Sequence, residues 1–493
     1  MSGRALLLAW IACAAACART EPRPNVLLIT VDTLRADRLA LCQRVQHELG
    51  PALVFEHAQT PRAKTTPAVC SLMSGLYPHE HGVRELLEPL APGVPLLAER
   101  LRDAGWSTAA IVGNYVLGAQ RSGLARGFEQ WTEELPDAQR VPPDGAPERR
   151  ARSLTDGALV ALGLESAQPG PPGPHAAAVA PAKPWFLWLH YMDPHGAYDP
   201  PAEFLARAPA APDPIDPVAL EAEQGEPRPW IAEYNVPTPA RLGDGRIDAN
   251  AVRALYDGEV RYADAEIGRL LARLRQAGML EHTLVVFTAD HGESLGEQRY
   301  WFEHGRNVSE ATCAVPLLVS GPGVRPGRVE RPVSLCALAP SLLERLGLAP
   351  LDPRARSAPE LAHGTSGAEE PLFLEKIERA ELSRAVQTKA VRLGRWKLVR
   401  RYAQVFEAAR PQPKELRVLG DELFDLAHDP REEHDLLAAP PAEVPLARLQ
   451  AELLRFSAAD VRFSDLAQKL ARERSELEAR DPEALRILKA LGY

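Results

Sequence analysis

The chain of 493 residues is longer than one minimal hydrophobic core requires and fits a large α/β domain with a smaller appendage. Charged residues make up 25% of it and apolar residues 45%, the composition of an ordinary globular protein. Its net charge of -9 argues against a nucleic-acid-binding protein, which needs a basic face for phosphates. We therefore expect no nucleic acid among its partners.

The first residues have the pattern of an export signal. Residues 5–16 form an unbroken apolar run after the single positive charge of Arg4. This run is shorter than the ~20 residues that span a bilayer, but it has the length of a signal-peptide core. It ends in Ala14-Ala15-Ala16-Cys17, which resembles a bacterial lipoprotein cleavage box; the alternative is ordinary cleavage after the small residues.

From this leader we expect residues 1–17 to be a signal peptide and residues 18–24 a tether. The mature protein would then be exported to the periplasm or cell surface of a bacterium. A lipid on Cys17 would anchor it to the membrane.

Four apolar, β-rich segments have the character of strands buried on both faces of a parallel sheet. They are residues 25–31, 185–190, 283–288 and 315–320. Amphipathic patterns between them predict helices, among them 96–104 and a longer one around 260–274 that ends before Gly278. Such alternation indicates a doubly wound α/β domain, which binds ligands at the carboxyl ends of its strands.

Acidic residues or histidines lie at the ends of three of these strands. They are Asp32; His190, Asp193 and His195; and Asp290 with His291. Carboxylates and imidazoles together form an oxygen/nitrogen metal site, and such a metal polarises an ester oxygen and lowers the pKa of a nucleophile. Taken alone, Asp32 and Asp290 each have a helix cap as the structural alternative.

Two stretches lack periodicity, and the character of the chain changes near its end. Residues 168–183 predict a surface loop, and the proline-rich residues 199–248 predict a cap over the strand ends, where specificity loops belong. Residues 390–401 predict one strand after the change at about residue 369. The last forty or so residues are charged and predict helix.

Seven short motifs follow one another along residues 23–323. They are RPNVLLITVDTLRAD, TTPAVCSLMSGLYPHEHGV, LHYMDPHGAYDPP, YDGEVRYADAEIGRLL, FTADHGESLGE, FEHGRN and VPLLVSGPG. This ordered set resembles the N-terminal domain of the sulfatase family of the alkaline phosphatase superfamily. AVRLGRWKLV and ELFDLAHDPREEHDLL are similar to its C-terminal subdomain.

The resemblance covers about residues 25–437 and implies a metal-dependent ester hydrolase. Its fold would be α/β, with a central mixed sheet flanked by helices and a smaller C-terminal α+β subdomain. We accordingly expect a catalytic domain at 25–368, the subdomain at 369–440 and a helical tail at 441–493.

The resemblance also implies metal ligands. Asp32, Asp290 and His291 would bind a divalent ion beside the nucleophile, and their mixed donors admit calcium, manganese or zinc. The second aspartate that sulfatases carry after the first is Thr33 here. A second metal would need Asp193, for which a turn-forming aspartate before proline is the alternative.

Two histidines take roles at the ester in the same way. His195 would contact the transferred group or act as acid to the leaving oxygen, with a surface loop histidine as the alternative. His304 falls where family members place a lysine or histidine against the ester oxygens.

Arg35 either anchors the anion or pairs with Asp37, and we favour the pair.

The attacking residue departs from the sulfatase pattern. Counting back ten residues from Gly75 gives Thr65, and Cys70 lacks the following small residue and arginine of the formylglycine signature. We expect Cys70 to pack in a helix instead. Lys64-Thr65-x-Pro67 resembles the nucleophile loop of nucleotide pyrophosphatase/phosphodiesterases, which attack with threonine.

The chain also departs from the sulfatase pattern in the residues that bind the sulfate group. The family's Gly-Lys-x-His is Gly113-Asn114-Tyr115-Val116 here, so the basic pair that grips sulfate is missing and Asn114 and Lys64 are the substrate-binding candidates. Threonine cannot become formylglycine, whereas phosphorus accepts a covalent enzyme ester that water then opens.

The sequence therefore favours an exported hydrolase of phosphate mono- or diesters or phosphonates, with a small-molecule or carbohydrate ester as substrate. Two alternatives stay open. One is a sulfuric ester hydrolase of the arylsulfatase kind. The other is a catalytically inactive binding lipoprotein with the same fold.

Overall fold

The computed structural model describes residues 23–135, 148–165, 183–205, 208–209, 211–216, 236–377, 384–406 and 413–460. The predicted signal peptide with Cys17, most of the loop 168–183, part of 199–248 and residues 461–493 of the predicted tail lie outside this set. Among the helices it describes, none is both long and apolar enough to cross a membrane.

A mixed sheet of nine strands forms the centre of the described structure. In chain order, the strands up to residue 334 are β1 (Asn25–Val31), β2 (Leu53–Gln59), β3 (Ser107–Val112), β4 (Gln130–Thr132), β5 (Trp185–Tyr191), β6 (Pro214–Ile215), β7 (Ile247–Asp248), β8 (Thr283–Ala289), β9 (Ser294–Leu295), β10 (Trp301–Glu303), β11 (Ala314–Ser320), β12 (Gly327–Val329) and β13 (Val333–Ser334). The central sheet has the order β12, β2, β11, β8, β1, β5, β3, β4, with β13 also beside β2. Strand β11 runs antiparallel to both of its neighbours, and the pairs from β8 to β4 are parallel.

The register of three parallel strands positions the site. Val31 of β1 lies opposite Tyr191 of β5 on one side and Ala289 of β8 on the other. Every residue of β5 and β8 is buried, as expected for strands covered on both faces. The residues that follow these three strands therefore meet at one edge of the sheet, as the sequence predicts.

Helices cover the sheet. In chain order, the α-helices of the described residues are α1 (Gln43–Leu49), α2 (Thr65–Ser74), α3 (Pro78–His81), α4 (Leu97–Asp103), α5 (Ala119–Ser122), α6 (Ala151–Ala161), α7 (Ala249–Gln276), α8 (Glu310–Cys313), α9 (Leu338–Arg345), α10 (Pro359–His363) and α11 (Leu446–Ala458). All ten residues of α2 are buried. The long amphipathic α7 packs against α1 and α6.

A separate antiparallel sheet follows the central one. Its strands are β14 (Leu372–Ile377), β15 (Arg384–Leu393), β16 (Trp396–Phe406) and β17 (Pro413–Asp425). Leu449 and Leu453 of α11 pack on it against Leu398 and Leu423. The predicted fold class, a central mixed sheet flanked by helices with a smaller C-terminal sheet, is confirmed.

The prediction of one strand over 390–401 is wrong, because these residues form a hairpin. Leu393 of β15 lies opposite Trp396 of β16, so Gly394 and Arg395 make a two-residue turn. Gly394 has φ 56°, which glycine adopts readily and which suits the tight turn of a hairpin. The domain boundaries at 368 and 440 stay a prediction.

Candidate active site

Carboxylates and imidazoles meet at the carboxyl ends of β1, β5 and β8. One potential ligand atom each of Asp32, His190 and Asp290 lies within 4.8 Å of the others, and all three residues are fully buried. His291 Nε2 lies 3.7 Å from Asp32 Oδ1 and 3.4 Å from Asp290 Oδ2. The structure thus brings together the three predicted ligands Asp32, Asp290 and His291.

Two oxygens of this cluster, Asp32 Oδ1 and Asp290 Oδ2, are buried without a hydrogen-bond partner in the described structure. Burial and the neighbouring Asp32 carboxylate raise the pKa of Asp290 well above its ordinary value. Buried polar groups are nearly always paired, and two buried like charges repel. The donor set of carboxylate oxygens and imidazole nitrogen therefore fits a divalent cation.

A chain of hydrogen bonds holds the other oxygen of Asp32. Trp188 Nε1 donates to Thr30 Oγ1 at 2.9 Å, and Thr30 Oγ1 lies 2.8 Å from His190 Nδ1. His190 Nε2 lies 3.3 Å from Asp32 Oδ2. A carboxylate only accepts, so the proton of His190 is on Nε2, and Thr30 donates to Nδ1. His190 therefore orients Asp32, a role that the sequence analysis did not assign.

Although burial alone would raise it, the pKa of Asp32 is held below its ordinary value. The hydrogen bond with His190 and the nearby charge of His195 lower it. Asp32 is accordingly ionised, and its unpaired Oδ1 is a strong ligand for a cation.

Thr65 is the first residue of α2, and its hydroxyl faces the cluster. Oγ1 lies 3.3 Å from His291 Nε2. His291 Nδ1 lies 3.0 Å from the carbonyl oxygen of Gly292, to which it donates, so Nε2 carries the lone pair. Burial and neighbouring His304 lower the pKa of His291 to about 3, which keeps the ring neutral. The N-terminal end of α2 also favours negative charge on the Thr65 oxygen.

The two predicted substrate-binding residues contact protein groups. Asn114 Nδ2 donates to Asp32 Oδ2 at 2.6 Å, while Asn114 Oδ1 accepts from the backbone nitrogen of Val116. Lys64 Nζ forms a buried ion pair with Glu85. Both residues therefore lie at the site. Asn114 holds Asp32 in place, and Lys64 is itself held by Glu85.

His195 and His304 lie next to the cluster with their ring centroids 5.3 Å apart. The His304 ring also lies 4.3 Å from that of His291. His304 Nδ1 is 3.2 Å from Glu293 Oε1, and Tyr198 donates to Glu293 Oε2 at 3.0 Å. Glu293 lies within the TADHGES motif but was not among the predicted site residues.

The two histidines differ in charge. Burial and the neighbouring His195 lower the pKa of His304 to about 3. Burial also opposes charge on His195, but the carboxylates of Asp32, Glu148 and Glu293 outweigh it and raise the pKa of His195 above its ordinary value. His195 is therefore the better proton donor of the pair.

Asp193 lies at the N-terminus of α6 instead of in the carboxylate cluster. Its Oδ2 accepts from the backbone nitrogen of Ala151 at 2.7 Å, and its Oδ1 lies 2.9 Å from Arg150 Nε. Both oxygens thus have protein partners. This arrangement supports a structural role and does not support the predicted second metal ligand.

Two other predictions hold. Arg35 donates to both carboxylate oxygens of Asp37, at 2.9 and 2.8 Å, so the favoured ion pair is confirmed. Cys70 is fully buried in α2 as predicted, and burial raises the pKa of its thiol far above the ordinary value. A buried, protonated thiol is a poor nucleophile.

The Sulfatase family profile matches residues 24–348, which is more than half of the chain. The chain belongs to the sulfatase family. Choline-sulfatase of Rhizobium meliloti (strain 1021) is 32% identical over 202 residues, which are 40% of this chain and 36% of that protein. Arylsulfatase K of Xenopus laevis is 24% identical over 350 residues, which are 66% of this chain and 64% of that protein. The chain thus matches less than two thirds of the length of either relative.

A third relative is matched over more of its length. The multifunctional alkaline phosphatase superfamily protein PehA of Trinickia caryophylli is 25% identical over 392 residues, which are 66% of this chain and 74% of that protein.

Solved structures share the fold. The phosphonate monoester hydrolase of Agrobacterium radiobacter superposes with a TM-score of 0.62 at 23% identity, over 89% of this chain and 96% of that chain. A 2-O GAG sulfatase superposes with a TM-score of 0.63 at 19% identity, over 90% and 93%.

Proposed function

We propose that the protein is a metal-dependent hydrolase of phosphate mono- or diesters or of phosphonates, with Thr65 as nucleophile. One observation carries this proposal. The Thr65 hydroxyl lies beside His291 Nε2, and the unpaired oxygens of Asp32 and Asp290 lie 3.7 and 3.4 Å from that same nitrogen.

Asp32, Asp290 and His291 would hold the cation, with calcium, manganese or zinc all compatible with their donors. Bound there, a divalent ion lowers the pKa of an adjacent hydroxyl and offsets negative charge on the ester oxygens. Asn114 and His190 keep Asp32 in place through its second oxygen. Such supporting hydrogen bonds fix a ligand's orientation.

In the proposed reaction, Thr65 is the nucleophile and His195 transfers the protons. Deprotonated Thr65 Oγ1 forms a bond to phosphorus while the bond from phosphorus to the leaving oxygen breaks. His195, with its raised pKa, donates the proton that the leaving oxygen takes up. Water then displaces Thr65 from phosphorus, with His195 accepting the proton of that water.

The second candidate is a sulfuric ester hydrolase. It is favoured by the names of two relatives, choline-sulfatase and arylsulfatase K, which match 40% and 66% of the chain. The chemistry of Thr65 argues against a sulfuric ester hydrolase. Formylglycine releases sulfate without hydrolysis of a stable enzyme–sulfate ester, and threonine cannot become formylglycine. An inactive binding protein is less favoured, since nothing in binding alone requires the two unpaired carboxylate oxygens.

The test is parallel turnover of p-nitrophenyl phosphate, bis(p-nitrophenyl) phosphate, p-nitrophenyl phenylphosphonate and p-nitrophenyl sulfate. Protein stripped by a chelator is reloaded with calcium, manganese or zinc in separate arms. We expect one metal to restore turnover of the phosphorus esters well above that of the sulfate. Turnover of the sulfate alone would support the second candidate, and no turnover in any arm would support the inactive protein.

Export is a further part of the proposal. The apolar leader and Cys17 support a lipoprotein that faces the periplasm or the cell surface. Expressed in a Gram-negative host, the protein should fractionate with membranes, and Cys17→Ala should release it. Recovery of both forms from the cytoplasm would contradict export.

A further inference from the structure

A buried carboxylate, Glu85, lies between two buried cations behind the nucleophile. Glu85 Oε2 pairs with Lys64 Nζ, and Glu85 Oε1 lies 3.5 Å from Arg62 Nη2. The side chains of Glu85 and Arg62 are each 1% exposed and that of Lys64 is 6% exposed. Lys64 directly precedes Thr65 and is the N-cap residue of α2.

Arg62 connects the buried ion pairs of Glu85 to the turn that carries His304. Its Nη1 donates to the carbonyl oxygen of Gly305 at 2.8 Å. Gly305 follows His304, whose ring lies against that of His291. The ion triad of Arg62, Glu85 and Lys64 therefore joins the nucleophile loop to the His304 turn.

The loop that carries Glu85 is itself held in place. Glu88 Oε2 accepts from the backbone nitrogens of Arg84 and Glu85 at 2.9 and 3.2 Å. The Arg84 guanidinium is buried and forms an ion pair with Asp460. Glu85 is thus held by its own loop, and the buried side chains of Lys64 and Arg62 pair with it there.

We propose that Glu85 is a positioning residue, which places Thr65 and His304 by neutralising Lys64 and Arg62. This inference rests on the proposed role of Thr65. Removing one partner of a buried ion pair leaves an uncompensated charge, which the chain relieves by moving the remaining partner. Movement of Lys64 shifts Thr65, and a displacement of 1 Å at a reacting atom costs about 10²-fold in rate.

The chain offers a matched control in a second buried carboxylate. Glu310 also bridges a lysine and an arginine, at 3.1 Å from Lys397 Nζ and 3.0 Å from Arg392 Nη1. It contacts neither Lys64 nor Thr65 among the contacts of the described residues. Glu310→Gln therefore removes the same kind of charge without touching the nucleophile loop.

The experiment compares kcat, KM and Tm of Glu85→Gln and Glu310→Gln on the phosphorus ester that the wild type turns over best. We expect both variants to lower Tm. Only Glu85→Gln should lower kcat, by about 10²-fold with KM nearly unchanged. Glu85→Asp, which keeps the charge, should recover most of that loss.

A double-variant cycle separates positioning from general damage. If Glu85→Gln does not fold, Lys64→Gln alone, which removes the other half of the ion pair, must lower kcat more than Glu310→Gln does. Lys64→Gln with Glu85→Gln removes both charges of the ion pair together, so its loss of kcat should be smaller than the product of the two single losses. Equal losses of kcat in Glu85→Gln and Glu310→Gln, or a double-variant loss equal to that product, would overturn the inference. Failure of the proposed function shows differently, as full activity in Thr65→Ala.

Discussion

Thr65 Oγ1 and His291 Nε2 lie 3.3 Å apart although they are separated by 226 positions in the sequence. The hydroxyl stands at the first position of α2, and the imidazole follows β8. Because Nδ1 of His291 donates to a backbone carbonyl, Nε2 faces Thr65 as a lone pair. This contact joins the predicted nucleophile to the predicted metal ligands.

Replacing Thr65 by alanine should lower kcat by at least ~10³-fold, since the nucleophile of a covalent mechanism is lost. The assay is turnover of an aryl phosphate diester at saturating substrate. Thr66→Val is the matched control, because Thr66 is the next residue of α2 and its buried hydroxyl has no hydrogen-bond partner in the described structure. Wild-type activity in Thr65→Ala, or equal losses in both variants, would contradict the assignment.

Asn114→Ala should weaken metal binding about 10- to 100-fold, since it removes the amide that holds Asp32 Oδ2. Calorimetric titration of metal-free protein measures the affinity directly. Asn250→Ala, on α7, is the control and should bind as the wild type does. An unchanged affinity in Asn114→Ala would show that Asp32 is held in place without it.

The pH dependence of kcat should reflect His195. Its pKa is raised by the carboxylates of Asp32, Glu148 and Glu293, which outweigh burial, so the ring is protonated below that raised value. An acid is active in its protonated form, so kcat should fall as the pH rises through the pKa of His195. His195→Asn should lower kcat about 10²- to 10⁴-fold and remove this limb. A limb that persists in the variant would assign the acid to another group.

The stability of the protein should depend on Glu375 in acid. Burial alone would raise the pKa of this carboxyl, but Lys389 and Arg84 outweigh it and hold the pKa well below its ordinary value. The ionised form therefore stabilises the fold fully above the unfolded pKa of about 4.3, and this contribution is lost as the pH falls below it. Tm should drop less steeply from pH 6 to pH 3 in Glu375→Gln than in the wild type. Parallel curves would contradict this.

The sheet and the ligand positions could be predicted because they depend on patterns local in sequence. Apolar runs define β1, β5 and β8 to within one residue, and the polar residues after them meet because parallel strands share an edge. The hairpin at Gly394 was not predicted, because residues 390–401 look like one continuous strand in sequence. The turn depends on the positive φ of Gly394, which only the structure shows.

The partners of the polar side chains could not be predicted. Asn114 lies 82 positions from Asp32, and Lys64 lies 21 positions from Glu85, so only the packed loops bring them together. The sequence therefore predicted substrate binding for the lysine beside the nucleophile, whereas the structure shows it in an ion pair. The contact of Asp193 with the N-terminus of α6 could not be predicted either, because Ala151 lies 42 positions from Asp193 in the sequence.

The central claim is that Thr65 attacks phosphorus, and the most direct measurement is mass spectrometry of the peptides bearing Thr65 and Cys70. The protein is quenched rapidly in acid during turnover of an aryl phosphate diester. We expect a phosphoryl ester on Thr65, which is absent in Thr65→Ala, and an unmodified Cys70. An unmodified Thr65 together with formylglycine at Cys70 would contradict the claim and identify a sulfatase mechanism.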